Sequence, residues 1–193
     1  MIPEIVHISV LLFFIFVFHA GEYIISKINH PESVSISSTL VTAPFAFSLS
    51  FGIIEFLIES YIFGDFKTSF KSVIMWVGFL FIIVGLTIRV LAETTAKKAF
   101  THHVAQKRVE EHKLITHGVY KYFRHPGYFG MFLFSVGSQL FLKNVISTIV
   151  FISVLWCFFN ERIKMEERLL VSMFGRDYVE YRSHTPTRIP FIK

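Results

Sequence analysis

The residues able to do chemistry fall in two polar stretches of a mostly apolar chain. The first, Gln106 to Tyr128, reads QKRVEEHKLITHGVYKYFRHPGY and carries His112, His117 and His125 beside Arg108, Lys113, Lys121 and Arg124. The second, Asn160 to Lys193, carries Arg162, Glu166 and Glu167. Arg124-His125-Pro126-Gly127-Tyr128 stands where polar sequence enters an apolar run. Proline in a first helical turn leaves neighbouring N–H groups to face an anion or a polar cofactor, or merely starts a helix at a membrane surface. Arg162 and Glu166, four apart, share a helix face. They either pair with each other, worth about 0.3–0.5 kcal/mol, or each meets a different ligand group. In the second case Arg162 suits a carboxylate and Glu166 a cationic or hydroxyl-bearing group. Spacing leaves both open.

Other chemistries find less support. Five histidines lie between His102 and His125, but no HxxxH or HxxHH box occurs, so a di-iron oxidase is disfavoured and no metal is expected. Neither GxGxxG nor GxxxxGK[ST] is present, which removes the soluble nucleotide folds. The single cysteine, Cys157, cannot form an intramolecular disulfide and is expected to be a small buried side chain.

The elements that must position these residues are membrane helices. Of 193 residues, 53% are apolar and 24 are Phe, and the mean hydropathy is +0.56. Soluble domains hold about 45–50% apolar residues even counting Gly. Ile5 to Ile25 is long enough to cross a hydrocarbon core of about 30 Å, and MIPE ahead of it has no basic n-region, so the run is expected to remain as a span. His19, Glu22 and Tyr23 sit near one end, within reach of the interface. A second span runs from about Thr39 to Phe63, with Glu55 and Glu59 on one face, towards the bundle or the boundary. Gly64 to Lys71 reads as an ordinary polar turn. A third span runs from about Val73 to Ala92, and its Arg89 is expected to snorkel to the interface, with ligand anchoring as the alternative. Phe129 to Leu142 and Val145 to Phe159 then form two short apolar arms, a helical hairpin that either spans or dips and returns. A helix continues through Leu169, Leu170, Met173 and Phe174, whose apolar face suits a bilayer surface, to a C-terminal cap at Gly175.

Both hairpin geometries put the two polar stretches on one side. With Arg89 set aside, that side holds 15 of the 19 Lys and Arg, and the positive-inside rule makes it cytoplasmic. The net charge of +5 thus has a topological reading, and no nucleic acid is expected. The expected fold is an all-α integral membrane protein of about five transmembrane helices, three spans plus the hairpin, with a cytoplasmic cap. Residues 1–193 form one domain, 1–92 a three-span anchor and 93–193 a catalytic region.

HGVYKYFRHPGYFG, NERIKMEE and FGRDYVEYRSHTPTRIPFIK, with HAGEY near the N-terminus and SVGSQLFLKN in the hairpin, together resemble the isoprenylcysteine carboxyl methyltransferase family. RHPxYxG with a later glutamate pair is shared with phospholipid methyltransferases and, more loosely, sterol reductases. The tail ending in PFIK and the N-terminal element are more particular. The resemblance implies S-adenosylmethionine as cofactor, held by Gln106, His112, Lys113, Leu114, Ile115, Tyr120, His125, Pro126, Gly127, Tyr128 and Glu166. It implies that Arg162 holds the substrate carboxylate, and that Arg162 and Glu166 are the catalytic pair. Gly127 departs from the motif, which usually has Ser there. The implied substrate is the C-terminal prenylcysteine of CaaX-processed proteins, farnesylated or geranylgeranylated, reached from membrane lipid at the endoplasmic reticulum. A phospholipid N-methyltransferase, or a non-enzymatic scaffold or transporter, stands as the alternative; an amine acceptor would meet like charge at Arg162.

Overall fold

The computed structural model describes residues 2–100 and 113–192. These residues form helices α1 (Ile2–Asn29), α2 (Ala43–Phe63), the single turn α3 (Asp65–Thr68), α4 (Val73–Ala96), α5 (Pro126–Phe141), α6 (Val145–Phe174) and α7 (Arg176–His184), with short 3-10 turns between them. No strand occurs among the described residues. Four helical stretches, Pro3–Asn29, Ala43–Phe63, Asp65–Ala99 and Val145–Phe174, are long and apolar enough to cross a membrane. Helix α5, at 16 residues, rises about 24 Å and is the short member.

The second arm and the helix expected beyond it form one 30-residue helix to Phe174, because nothing between Asn160 and Phe174 breaks a helix. The helix ends where expected: Gly175 takes a φ of 57° and its N–H bonds Val171 O. Cys157 lies exposed on α6 rather than buried, since the apolar run around it faces outwards.

Helices α4 and α5 make the tightest pairing. Gly78 and Gly85 on α4 face Gly137 and Gly130 on α5, each pair one heptad apart on its helix, so backbone meets backbone. A methyl on Gly130 would lie 2.7 Å from Gly85 O, and one on Gly137 would lie 2.8 Å from Gly78 O. Small residues permit such approach between membrane helices, where the hydrophobic effect offers no drive. Gly130→Ala is therefore expected to cost about 1–3 kcal/mol, lowering the thermal inactivation midpoint. Gly21→Ala, with nothing within 4 Å of the added methyl, serves as the unaffected control in the same melt.

At the end remote from the two polar stretches, glutamates and lysines latch the turns. Glu55 accepts from the backbone N–H groups of Ile146 at 2.8 Å and Ser147 at 2.7 Å, and from the Ser147 hydroxyl, capping the α6 N-terminus. Lys67 is buried rather than part of an ordinary polar turn. It pairs with Glu59 and donates to Lys143 O at 2.7 Å, while Lys143 Nζ returns a bond to Phe66 O at 3.0 Å. The turns before α4 and after α5 thus hold each other, which fixes the tilt of the α4–α5 pair whose opposite end carries the site.

Candidate active site

At that opposite end the chain leaves polar sequence through His125 and enters α5 at Pro126, its first residue. The turn is held from below by Glu167 on α6. Oε1 of this buried carboxylate accepts from Arg124 Nε, His125 Nε2 and the Tyr178 hydroxyl, each at 2.9 Å, and Oε2 lies 3.5 Å from Arg182 Nη1. Because the carboxylate only accepts, Nε2 of His125 carries its proton here. The tail completes the clamp. Arg124 donates from Nη1 to Thr185 O at 2.8 Å and from its backbone N–H to Pro186 O at 3.1 Å. Ile189 and Ile192 bury against Phe132, Val136, Phe159 and Ile163.

Glu166, one residue earlier and about 100° round the helix, faces a different space. Its Oε2 accepts from the Tyr128 hydroxyl at 2.7 Å, and the same hydroxyl accepts from Arg162 Nε at 2.8 Å. Arg162 and Glu166 therefore meet on Tyr128, which resolves the choice that spacing left open: a third residue stands between them. Tyr128 is fixed by stacking between His125, with ring centroids 5.7 Å apart, and Phe159, at 5.3 Å.

One cavity collects most of the expected residues. Its wall includes Lys113, Leu114 and Ile115, then Tyr120, then His125, Pro126, Gly127 and Tyr128, and Glu166 from α6. Gln106 and His112 lie outside the described residues. Arg162 is not among the lining residues and reaches the cavity through Tyr128. Phe100 carried no signal in the sequence; Arg124, noted there only at the head of the turn, lines the cavity too, as does the α6 face of Leu170, Met173 and Phe174. Tyr178 and Tyr181 complete the wall; Tyr181 donates to Tyr120 O at 2.6 Å. Burial, reinforced by Glu166, pushes the Tyr120 hydroxyl well above the usual phenol range, and burial beside Glu167 does the same at Tyr178. Both therefore stay protonated donors across physiological pH. Glu167, the clamp itself, had only one signal in the sequence, its adjacency to Glu166.

Three polar groups expected near the interface, Arg89, Glu22 and His19, are inside the bundle. Arg89 does not snorkel: it is 5% exposed and forks onto Glu22, with Nε to Oε1 at 2.6 Å and Nη2 to Oε2 at 3.0 Å. His19 is buried with Nδ1 donating to Thr39 O at 2.6 Å. An interior partner outcompetes the interface for each: the Arg89 charge is paired, and one ring nitrogen of His19 is bonded.

Helices long enough to span, with a largely apolar cavity at one end lined by a turn and a long helix, define a multi-pass membrane protein with a candidate ligand site. The model of the isoprenylcysteine carboxyl methyltransferase (ICMT) family matches residues 76–172. A probable protein-S-isoprenylcysteine O-methyltransferase of Oryza sativa subsp. indica is 39% identical over 92% of this chain and 92% of its own length. Protein-S-isoprenylcysteine O-methyltransferase B of Arabidopsis thaliana is 40% identical over 91% of this chain and 88% of its own. The solved structure of the eukaryotic intramembrane Ras methyltransferase ICMT superposes with a TM-score of 0.92 at 33% identity, covering 98% of this chain and 68% of that one. The chain belongs to the isoprenylcysteine carboxyl methyltransferase family.

Proposed function

We propose that this protein methylates the C-terminal carboxylate of prenylated cysteine, taking the methyl group from S-adenosylmethionine. The observation that carries the reading is the Arg162–Tyr128–Glu166 chain, which joins a cation suited to a carboxylate to a carboxylate on the cavity wall. The lining fits an amphipathic nucleoside cation. Phe100, Met173 and Phe174 offer apolar and aromatic surface, Tyr120 a hydroxyl, and Glu166 a negative charge. Arg124, also in the wall, keeps a buried Nη2 with no hydrogen-bond partner among the described residues, a donor for the carboxylate of an amino-acid moiety.

When bound, S-adenosylmethionine supplies a methyl on a sulfonium sulfur; a C–S bond breaks as a C–O bond forms, and sulfur keeps the electron pair. The acceptor carboxylate is ionised at neutral pH, so no side chain need take a proton. Arg162 orients the carboxylate with its planar guanidinium, itself held at Nε by Tyr128. Glu166 and the turn from His125 to Tyr128, clamped through Glu167, keep the donor side in register. Opposite charges cancel in this step, so the apolar part of the wall favours it.

The prenyl chain enters from lipid, which gains about 0.8 kcal/mol per buried CH₂. The predominance of Lys and Arg on the site's side supports a cytoplasmic cavity, here in the endoplasmic reticulum membrane. Residues 1–193 act as one methyltransferase domain, with 1–92 mainly anchor and 93–193 mainly catalytic. The test uses membranes holding the chain, labelled S-adenosylmethionine, and N-acetyl-farnesylcysteine beside phosphatidylethanolamine as competing acceptors. Base-labile label on the prenylcysteine is expected. Label in the lipid amine would replace the acceptor, and label in neither would remove the reading.

A further inference from the structure

Arg89 lies in a span and outside every motif of the site, yet its contacts run to the site's wall. Beyond the fork onto Glu22, its Nε is 2.9 Å from Glu93 Oε1, and its Nη1 donates to Gly127 O at 3.0 Å. The guanidinium carbon sits 5.0 Å from the centroid of the Phe100 ring. Gly127 and Phe100 both line the cavity, and a methyl built on Gly127 would meet Phe100 Cε2 at 3.0 Å and Arg89 Nη1 at 3.1 Å. A side chain at Gly127 would need the space that Arg89 and Phe100 occupy. Phe100 is tied from behind as well, since His30 Nε2 donates to its carbonyl at 2.9 Å.

A buried ion cluster adds little net stability over an apolar equivalent, and charged groups within spans commonly mark function. This cluster joins three elements: Glu22 from α1, Arg89 and Glu93 from α4, and Gly127 from the first turn of α5. The turn is thus held on two sides, by Glu167 from α6 and by Arg89 from α4.

We propose that Arg89, clamped by Glu22, is a positioning residue for the cofactor side of the site, setting the place of Gly127 and Phe100 and making α1 part of the methyl-transfer apparatus. The proposal rests on the S-adenosylmethionine reading above. Arg89 touches neither reactant; it acts through the wall. A lysine cannot reproduce a two-nitrogen fork together with a third bond to a carbonyl.

The test titrates S-adenosylmethionine directly onto the full chain in detergent, so binding is read without turnover, and measures the KM for N-acetyl-farnesylcysteine alongside. Arg89→Lys and Glu22→Gln are each expected to weaken S-adenosylmethionine binding about tenfold, with the prenylcysteine KM changed by less than about twofold. Gly127→Ala, which presses on Arg89 Nη1, is expected to weaken it about threefold, and the double variant with Arg89→Lys to be no worse than Arg89→Lys alone. Should Arg89→Lys fail to fold, Glu22→Gln and Gly127→Ala answer by the same split. Wild-type binding with unchanged affinity in the folded variants overturns the proposal alone, as does an equal rise in both constants. A wild-type chain that binds S-adenosylmethionine but esterifies no prenylcysteine overturns the acceptor reading and leaves this one. A wild-type chain that does not bind S-adenosylmethionine overturns both.

Discussion

Arg162→Ala is expected to lower kcat/KM for N-acetyl-farnesylcysteine roughly 100-fold or more, while S-adenosylmethionine binding stays within about twofold of wild type. The asymmetry follows from where Arg162 stands. It is absent from the cavity lining and meets that lining at Tyr128, bonding the hydroxyl at 2.8 Å and lying 5.7 Å from the ring centroid. Removing it takes away the group proposed to orient the acceptor carboxylate but leaves Tyr128 stacked between His125 and Phe159 and bonded to Glu166. Lysine at this position supplies charge without a planar fork, so Arg162→Lys is expected to recover only part of the loss. Steady-state kinetics with a parallel binding titration separate the two quantities. Equal loss of both would show that Arg162 supports the cofactor wall rather than the acceptor.

The second large effect is expected at Glu167. Truncation to alanine leaves Arg124, with its side chain 6% exposed, without the carboxylate beside its Nε, and leaves His125 and Tyr178 without their acceptor. Breaking a buried ion pair by removing one partner costs about 3–5 kcal/mol, enough to loosen both the turn and the tail that Arg124 gathers at Thr185 and Pro186. Glu167→Ala should therefore lose S-adenosylmethionine binding together with thermal stability, unlike Arg162→Ala. Glu167→Gln retains an acceptor oxygen and should fall between. A stable Glu167→Ala variant with normal cofactor affinity would contradict the clamp.

These two residues also show what could be read from the chain and what could not. The apolar runs, the helix carrying Arg162 and Glu166, and the cap at Gly175 followed from length, periodicity and one glycine, all local properties. The gathering of Lys113–Ile115, Tyr120, His125–Tyr128 and Glu166 around one cavity agrees with the two polar stretches meeting on one face. The role of Glu167 was not legible because two adjacent glutamates differ only in which way they face, and facing is set by residues 42 and 43 positions away, His125 and Arg124. Arg89 was misread for the same reason. Snorkelling is the right expectation for an arginine near a helix end with no partner, but its partner Glu22 is 67 residues distant. The glycine pairs of α4 and α5 repeat at seven residues within each run, a signal present in the sequence that gains meaning only once the two helices are known to touch.

The most direct measurement is an experimental structure of the full chain in lipid with S-adenosylhomocysteine and farnesylcysteine bound. The thioether product is expected in the cavity between Glu166 and the turn from His125 to Tyr128, its sulfur towards Tyr128, with the farnesylcysteine carboxylate on Arg162. Either ligand bound elsewhere, such as the thioether in the crevice between α1 and α4 that Val17, Phe18, Leu86 and Val90 line, would contradict it.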